Sequence, residues 1–182
     1  LNFLILKLVT STVGFLALPY LYLLGKELGG RRVGWLAFLF AGIAYWPNVV
    51  ARVGLRLPFY MLFSAALFYY LVRGLRRSHR NDFIAAGIIL GLGFYSYSAS
   101  RILPLLVIAA VGLYVLHRRS SQRSYTGLVG LLVAALVSLV IFLPLLRFIL
   151  AEPQGFFMRT LTRMGTWERS LDNPILLIFL NN

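Results

Sequence analysis

Six uncharged, mainly apolar runs follow one another along this chain, and each is close to the length needed to cross a lipid bilayer. A helix requires about 20 residues to span the hydrocarbon core, with a range of roughly 17–25. Arginine side chains at the ends of a shorter run extend it by reaching the interface. Six such runs in succession would be hard to bury in a soluble protein, so they predict a membrane protein. They cover residues 8–24, 33–51, 57–72, 83–100, 102–116 and 124–146.

The residue pattern of the runs is typical of helices. Of the 182 residues, 60% are hydrophobic, and no run alternates polar and apolar residues as a membrane barrel strand does. We therefore predict an all-α fold, a polytopic transmembrane helix bundle with six spans and the start of a seventh at residues 175–182. Residues 1–182 are assigned to a single transmembrane domain, which we expect to be a fragment of a longer protein. Gly87 and Gly91 form a GxxxG pair, which predicts close helix packing.

The basic residues cluster at the ends of the runs. The formal net charge is +13, which alone would suit a nucleic-acid-binding protein. The clustering instead favours membrane topology and contact with anionic lipid headgroups, so membrane lipids are predicted partners and nucleic acid is not. There are no cysteines, which excludes disulfides and thiolate metal sites. His79 and His117 lie among arginines and are interpreted as interfacial residues, so no metal ligands are predicted.

The short links between runs differ in charge, and this difference predicts the orientation. Links rich in Lys and Arg stay in the cytoplasm, which places the N-terminus and residues 151–174 outside. We expect an integral, multi-pass protein of a bacterial plasma membrane with its active face outside. The outer links contain Arg52, Arg56 and Arg101, and the inner links contain Lys26, Arg31, Arg32, Arg73, Arg76, Arg77, Arg80, Arg118, Arg119 and Arg123.

The three outer arginines lie on the side where positive charge is normally avoided. Arg52 and Arg56 are four residues apart and would point the same way on a helix, and Tyr97 precedes Arg101 by one helical turn. Arginine binds phosphate through a planar fork of donors. These four residues therefore predict a phosphate or pyrophosphate site. The alternative is that each arginine only contacts lipid phosphates.

The segment at residues 151–174, which is predicted to lie outside, is amphipathic and rich in aromatic residues. It is interpreted either as a helix on the membrane surface or as a cover over an active site, where it would shape the entrance for an acceptor. The residues proposed for that entrance are Arg159, Arg163, Trp167 and Glu168.

Acidic residues are scarce in this chain. Glu27 and Asp82 lie beside arginines on the predicted inner side and are interpreted as local charge pairs. No carboxylate lies inside a run, which argues against an ion-coupled transporter. None lies in the two short outer links either, so a general base is not apparent.

Three stretches resemble glycosyltransferase family 39, the polyprenyl- or dolichyl-phosphate-sugar-dependent membrane transferases. Residues 23–34 (LLGKELGGRRVG) are similar to its first cytoplasmic turn, and residues 52–56 (RVGLR) to its second outer loop. Residues 86–104 (AGIILGLGFYSYSASRILP) resemble a further stretch of the family. The likeness covers roughly residues 10–120.

The resemblance implies a GT-C fold and an enzyme that transfers a sugar, as a hexosyltransferase does, from a lipid-linked phosphate donor to a protein, lipid or glycan acceptor. It places the catalytic acidic residue upstream of Leu1, so no catalytic residue is assigned here. Many members carry an Asp in the second outer loop, but the positions around Leu57 and Pro58 are not acidic. No cofactor is assigned, and a divalent metal in the full-length protein is left open.

Two other functions remain open from the residues alone. A flippase or exporter of lipids or lipid-linked sugars would also use outer arginines and an apolar groove. A purely structural membrane subunit would carry its arginines for topology alone.

Overall fold

The computed structural model describes residues 3–96, 98–117 and 121–151, and these contain no strand. The all-α prediction is confirmed, and each of the six apolar runs corresponds to one or two helices. The helices are α1 (Phe3–Gly29), α2 (Arg31–Ile43), α3 (Tyr45–Val53), α4 (Leu57–Arg77), α5 (Arg80–Ser96), a 3-10 helix (Ser98–Ile102), α6 (Leu103–His117) and α7 (Ser121–Ala151).

Three of the described helices are long and apolar enough to cross a membrane, namely Leu4–Gly29, Leu57–Arg77 and Gly127–Phe148. The α2–α3 pair is bent by 49° and passes the same test if it is taken as one broken span. Helices α5 and α6 have 17 and 15 residues, which is at or below the lower limit for a span. The chain is therefore an integral membrane protein by its helices, while the number of six spans stays a prediction.

The run at residues 33–51 is broken at Ala44. Its backbone angles (φ −57°, ψ 123°) end α2 and begin α3. Pro47 follows in the first turn of α3, where a missing N–H is tolerated because that group has no partner within a helix. Pro47 and Pro58 flank the link that contains Arg52, and this pattern predicts a few non-helical residues there. The prediction is confirmed, because residues 54–56 are not helical, although Arg52 itself lies within α3.

Helix α1 packs against α2 and α4, and α4 packs against α5. Gly34 of α2 lies so close to α1 that a methyl group there would be 2.7 Å from the Tyr22 carbonyl oxygen. The buried apolar cluster lies where α4, α5 and α6 meet, and its members are Leu67, Leu71, Leu75, Phe83, Ala86, Leu90, Leu103, Val107 and Val111. In lipid such contacts act through van der Waals packing.

The GxxxG prediction is confirmed by the packing of α5 on α7. A methyl group at Gly87 would lie 2.6 Å from the Ala134 carbonyl oxygen, and one at Gly91 would lie 2.7 Å from Ile141 Cβ. Both glycines are buried. The two helices approach each other closely because neither position carries a side chain.

Ion pairs join the helices at the end where α1 finishes. The Glu27 carboxylate accepts a hydrogen bond from Arg77 at 2.7 Å, and Arg76 donates to the Glu27 backbone carbonyl. Asp82 lies 3.2 Å from Arg73 Nε. The predicted charge pairs therefore exist, but each connects two helices and is not local. They hold two of the links predicted to be cytoplasmic at one end of the bundle.

Contacts divide the chain into two units, Leu1–Phe142 and Leu143–Asn182. The second unit is described only for residues 143–151, so the assignment of a single domain stays a prediction. The expected outer segment at 151–174 lies outside the described residues apart from Ala151, and so does the seventh run at 175–182.

The close approach of α5 and α7 predicts the effect of adding a methyl group at Gly87. Gly87→Ala forces the helices apart, and overpacking of this kind costs about 1–3 kcal/mol. Gly112→Ala in α6 is the matched control, because a methyl group there meets no atom within 4 Å. Thermal unfolding in detergent should show a lower midpoint for Gly87→Ala and an unchanged or higher one for Gly112→Ala. Equal midpoints would contradict the packing.

Candidate functional site

A cavity of about 410 Å³ opens between α1, α2, α3 and α4. This volume lies within the range of roughly 300–1,000 Å³ that is typical of small-molecule sites. Its wall is mainly apolar and contains four side chains able to form hydrogen bonds. Its lining residues are Ser11, Gly14, Phe15, Leu18, Ala41, Pro47, Asn48, Val50, Ala51, Arg52, Leu57, Pro58, Tyr60 and Met61.

Arg52 enters the cavity wall from the last turn of α3. The helix ends two residues later at Gly54, which adopts the left-handed conformation (φ 84°, ψ 25°) that glycine accepts without strain. Arg56 then occupies the N-cap position of α4. Arg52 therefore lies in α3 and Arg56 in the non-helical link before α4, and the shared helical face that their spacing suggested does not form. We refer to residues 52–56 with the facing turn of α1, residues 6–11, as the Gly54 corner.

Lys7 is a cation of the Gly54 corner that sequence reasoning missed. A methyl group at Gly54 would lie 3.3 Å from Leu6 Cδ2 and 3.8 Å from Lys7 Cγ. Lys7 thus lies beside the link that joins Arg52 to Arg56. Its position as the only charged residue before Lys26 was the available signal, but sequence separation from Arg52 concealed the proximity.

Asn48 stabilises the break between α2 and α3. Its side-chain amide donates to the Gly42 carbonyl at 2.7 Å and to the Ala44 carbonyl at 2.9 Å. The last carbonyls of a helix have no partner within that helix, and in a membrane protein they need one from elsewhere in the chain. Both N–H donors of Asn48 are used in this way, and the same residue lines the cavity.

Two hydroxyl groups of α1 contact the other end of α3. Thr10 is 2% exposed, and its Oγ1 atom lies 2.9 Å from the Ala51 carbonyl oxygen. Ser11 Oγ lies 3.4 Å from the same oxygen. Sequence reasoning missed both residues, because a hydroxyl group in an apolar helix usually bonds its own backbone.

Arg101 lies on the 3-10 helix, which connects α5 to α6. Because α5 runs back along α4 from the Asp82–Arg73 pair, the 3-10 helix lies at the same end of the bundle as Arg56. Arg101 is exposed and is not part of the cavity wall described above. Tyr97 and the proposed entrance residues Arg159, Arg163, Trp167 and Glu168 lie outside the described residues.

The carboxylates of the described residues lie at one end of the bundle, away from Arg52 and Arg56. Both carboxylates, Glu27 and Asp82, are paired with arginines at the end opposite the Gly54 corner. Among the residues the structure describes, no group of three or more acidic or histidine side chains is placed to hold a metal ion. The cavity is therefore suited to a ligand with an apolar part and a negatively charged head.

Comparison with known families decides the identity. Residues 3–148 match the family described as dolichyl-phosphate-mannose-protein mannosyltransferase. The chain belongs to this family. Its members are membrane glycosyltransferases of the GT-C type that use a dolichyl-phosphate sugar as donor, so the resemblance found in the sequence is confirmed. No significant match was found among curated proteins or among solved structures.

The hydrogen bonds of Asn48 predict that an Asn→Asp change affects the stability of the fold differently at position 48 and at an exposed position. Asn48→Asp replaces two donated hydrogen bonds by a carboxylate facing two carbonyl oxygens and should destabilise the fold by about 1–3 kcal/mol. Asn81→Asp is the control, since Asn81 is exposed in the first turn of α5. A carboxylate there interacts favourably with the helix dipole, by about 0.3–1 kcal/mol. The midpoint of thermal unfolding should fall for Asn48→Asp and rise for Asn81→Asp. A change in the same direction for both variants would contradict this role of Asn48.

Proposed function

We propose that this chain forms part of a transferase that moves a sugar from a polyprenyl- or dolichyl-phosphate-linked donor to a protein, lipid or glycan acceptor at the outer membrane face. The observation that supports this most directly is Arg52 in the wall of a mainly apolar cavity. A lipid-linked sugar phosphate combines the two chemistries of that wall, since its prenyl chain is apolar and its phosphate is anionic.

In this proposal the apolar wall holds the first part of the prenyl chain, and Arg52 binds the phosphate. Transfer of the sugar leaves the lipid phosphate with an additional negative charge. A fixed positive group stabilises that charge as it develops, and arginine stays protonated throughout. Arg56 and Arg101 act at the mouth of the cavity, on the same end of the bundle. Tyr97 is proposed to assist them.

The acceptor side of the reaction is assigned to other parts of the protein. Arg159, Arg163, Trp167 and Glu168 are proposed to shape its entrance. Neither Glu27 nor Asp82 is positioned to act as a base, because both are held by arginines at the opposite end. We assign the catalytic acidic residue to the region upstream of Leu1, as the family resemblance suggests. Family membership favours this transferase over a flippase, an exporter or a structural subunit.

The proposed orientation has six spans, with the N-terminus and the Gly54 corner outside. The first span is α1, the second is the bent pair α2–α3, and α4 to α7 form the remainder. Helices α5 and α6 are short, and flanking arginines extend them to the interfaces. The ion-paired end of the bundle then faces the cytoplasm, in agreement with the excess of basic residues there.

The role of Arg52 is tested by binding of a polyprenyl phosphate to the complete protein in detergent. Loss of a charge-assisted hydrogen bond costs about 1.5–3 kcal/mol, so Arg52→Ala should raise the Kd by roughly 10- to 100-fold. Binding of the corresponding polyprenol, which lacks the phosphate, should not change. The control is Arg32→Ala, because Arg32 is exposed and lies at the start of α2, at the opposite end of the bundle. An unchanged Kd in Arg52→Ala would remove the proposed site.

The orientation is tested by single-cysteine labelling, in which the introduced cysteine is the only one in this chain. Ser78 and Leu55 are both exposed and lie in links at opposite ends of α4. A membrane-impermeant thiol reagent added to intact cells should label Leu55→Cys and leave Ser78→Cys unlabelled until the membrane is opened. The reverse pattern would invert the proposed topology.

A further inference from the structure

We propose that Thr10 is a positioning residue that holds Arg52 in the cavity wall through the last turn of α3. This inference rests on the proposed phosphate-binding role of Arg52. It assigns a function to a buried hydroxyl group on α1 that is 41 positions away from its partner in the sequence.

The position of the Thr10 proton follows from the partners of the three carbonyls around it. Thr10 Oγ1 lies 2.9 Å from the Leu6 oxygen, 3.1 Å from the Lys7 oxygen and 2.9 Å from the Ala51 oxygen. The first two carbonyls belong to the interior of α1 and accept backbone N–H groups one turn later. Ala51 lies in the last turn of α3, where carbonyls have no donor within the helix. The single hydroxyl proton is therefore donated to Ala51.

This bond is well placed to control Arg52. Helix α3 has only nine residues, with a break at Ala44 on one side and Gly54 on the other. An isolated helix of this length is not stable without tertiary contacts. Ala51 is 8% exposed and faces α1, whereas the next residue, Arg52, is exposed. Fixing the Ala51 carbonyl therefore fixes the backbone from which the Arg52 side chain enters the cavity wall.

Ser11 does not provide an equal substitute. Its hydroxyl oxygen is 3.4 Å from the Ala51 oxygen, which is longer than the usual range of roughly 2.5–3.0 Å for an O–H donor. Thr12 provides a matched control on the same helix. It is exposed, and its hydroxyl group donates at 2.8 Å to the Leu8 carbonyl within α1. Removal of that hydroxyl changes the same chemical group without touching α3.

The test measures Kd for a polyprenyl phosphate and for the matching polyprenol in the complete protein. Thr10→Val keeps the shape and removes the donor, and we expect the Kd for the phosphate to rise about 3- to 10-fold. Thr10→Ser should bind as the unchanged protein does, and Thr10→Cys should lie between the two because a thiol is a weak donor. Thr12→Val and binding of the polyprenol should be unaffected.

A double-variant comparison separates positioning from general stability. If Thr10 acts through Arg52, Thr10→Val adds nothing to the Kd of Arg52→Ala. A further rise in that background, or a loss of polyprenol binding, would overturn the inference. The inference would also be overturned if the Kd for the phosphate did not rise in the order Thr10→Ser, Thr10→Cys, Thr10→Val. The first two variants still test it if Thr10→Val does not fold. Unchanged binding in Arg52→Ala overturns the proposed function itself, whereas unchanged binding in Thr10→Val beside an impaired Arg52→Ala overturns only the role of Thr10.

Discussion

The structure around the cavity depends on the need of every backbone carbonyl in a membrane for a hydrogen-bond donor. A continuous helix meets this need by itself, but α2 and α3 are interrupted at Ala44 and at Gly54. Carbonyls at such interruptions have lost their donor within the helix, and side chains of the protein can supply one in its place. Asn48 does so for α2, and Thr10 does so for α3. The two breaks are tolerated because these side-chain donors are present.

The interrupted helix in turn borders the cavity. The 49° bend between α2 and α3 lies beside the cavity, whose wall is formed by α1, α2, α3 and α4. The same bend carries Arg52 to the rim of that space, next to the non-helical link of residues 54–56. The apolar volume and the positive charge thus lie beside one distortion, and Asn48, which stabilises it, lines the same wall.

The sequence predicted the features that depend on composition and spacing. Apolar runs indicated the helices, and the spacing of Gly87 and Gly91 indicated a close helix contact that α7 supplies. The family was also recognisable from the order of its motifs. Lys7, Thr10 and Asn48 were not predictable as parts of the site, because their roles arise from contacts between helices. The break at Ala44 was not predictable for a related reason. Proline is tolerated in the first turn of a helix, so Pro47 did not mark the boundary between α2 and α3.

The distribution of charge explains why the Gly54 corner is suited to an anionic ligand. At the opposite end, Arg73 and Arg77 are held by Asp82 and Glu27, so their positive charge serves to join helices. These are the two carboxylates of the described residues, and neither is near Arg52. A buried or half-buried carboxylate beside Arg52 would compete with a phosphate for the same donors and repel it. No such group is among the described residues of the cavity wall, so no carboxylate of that wall competes with a ligand for the donors of the Arg52 guanidinium.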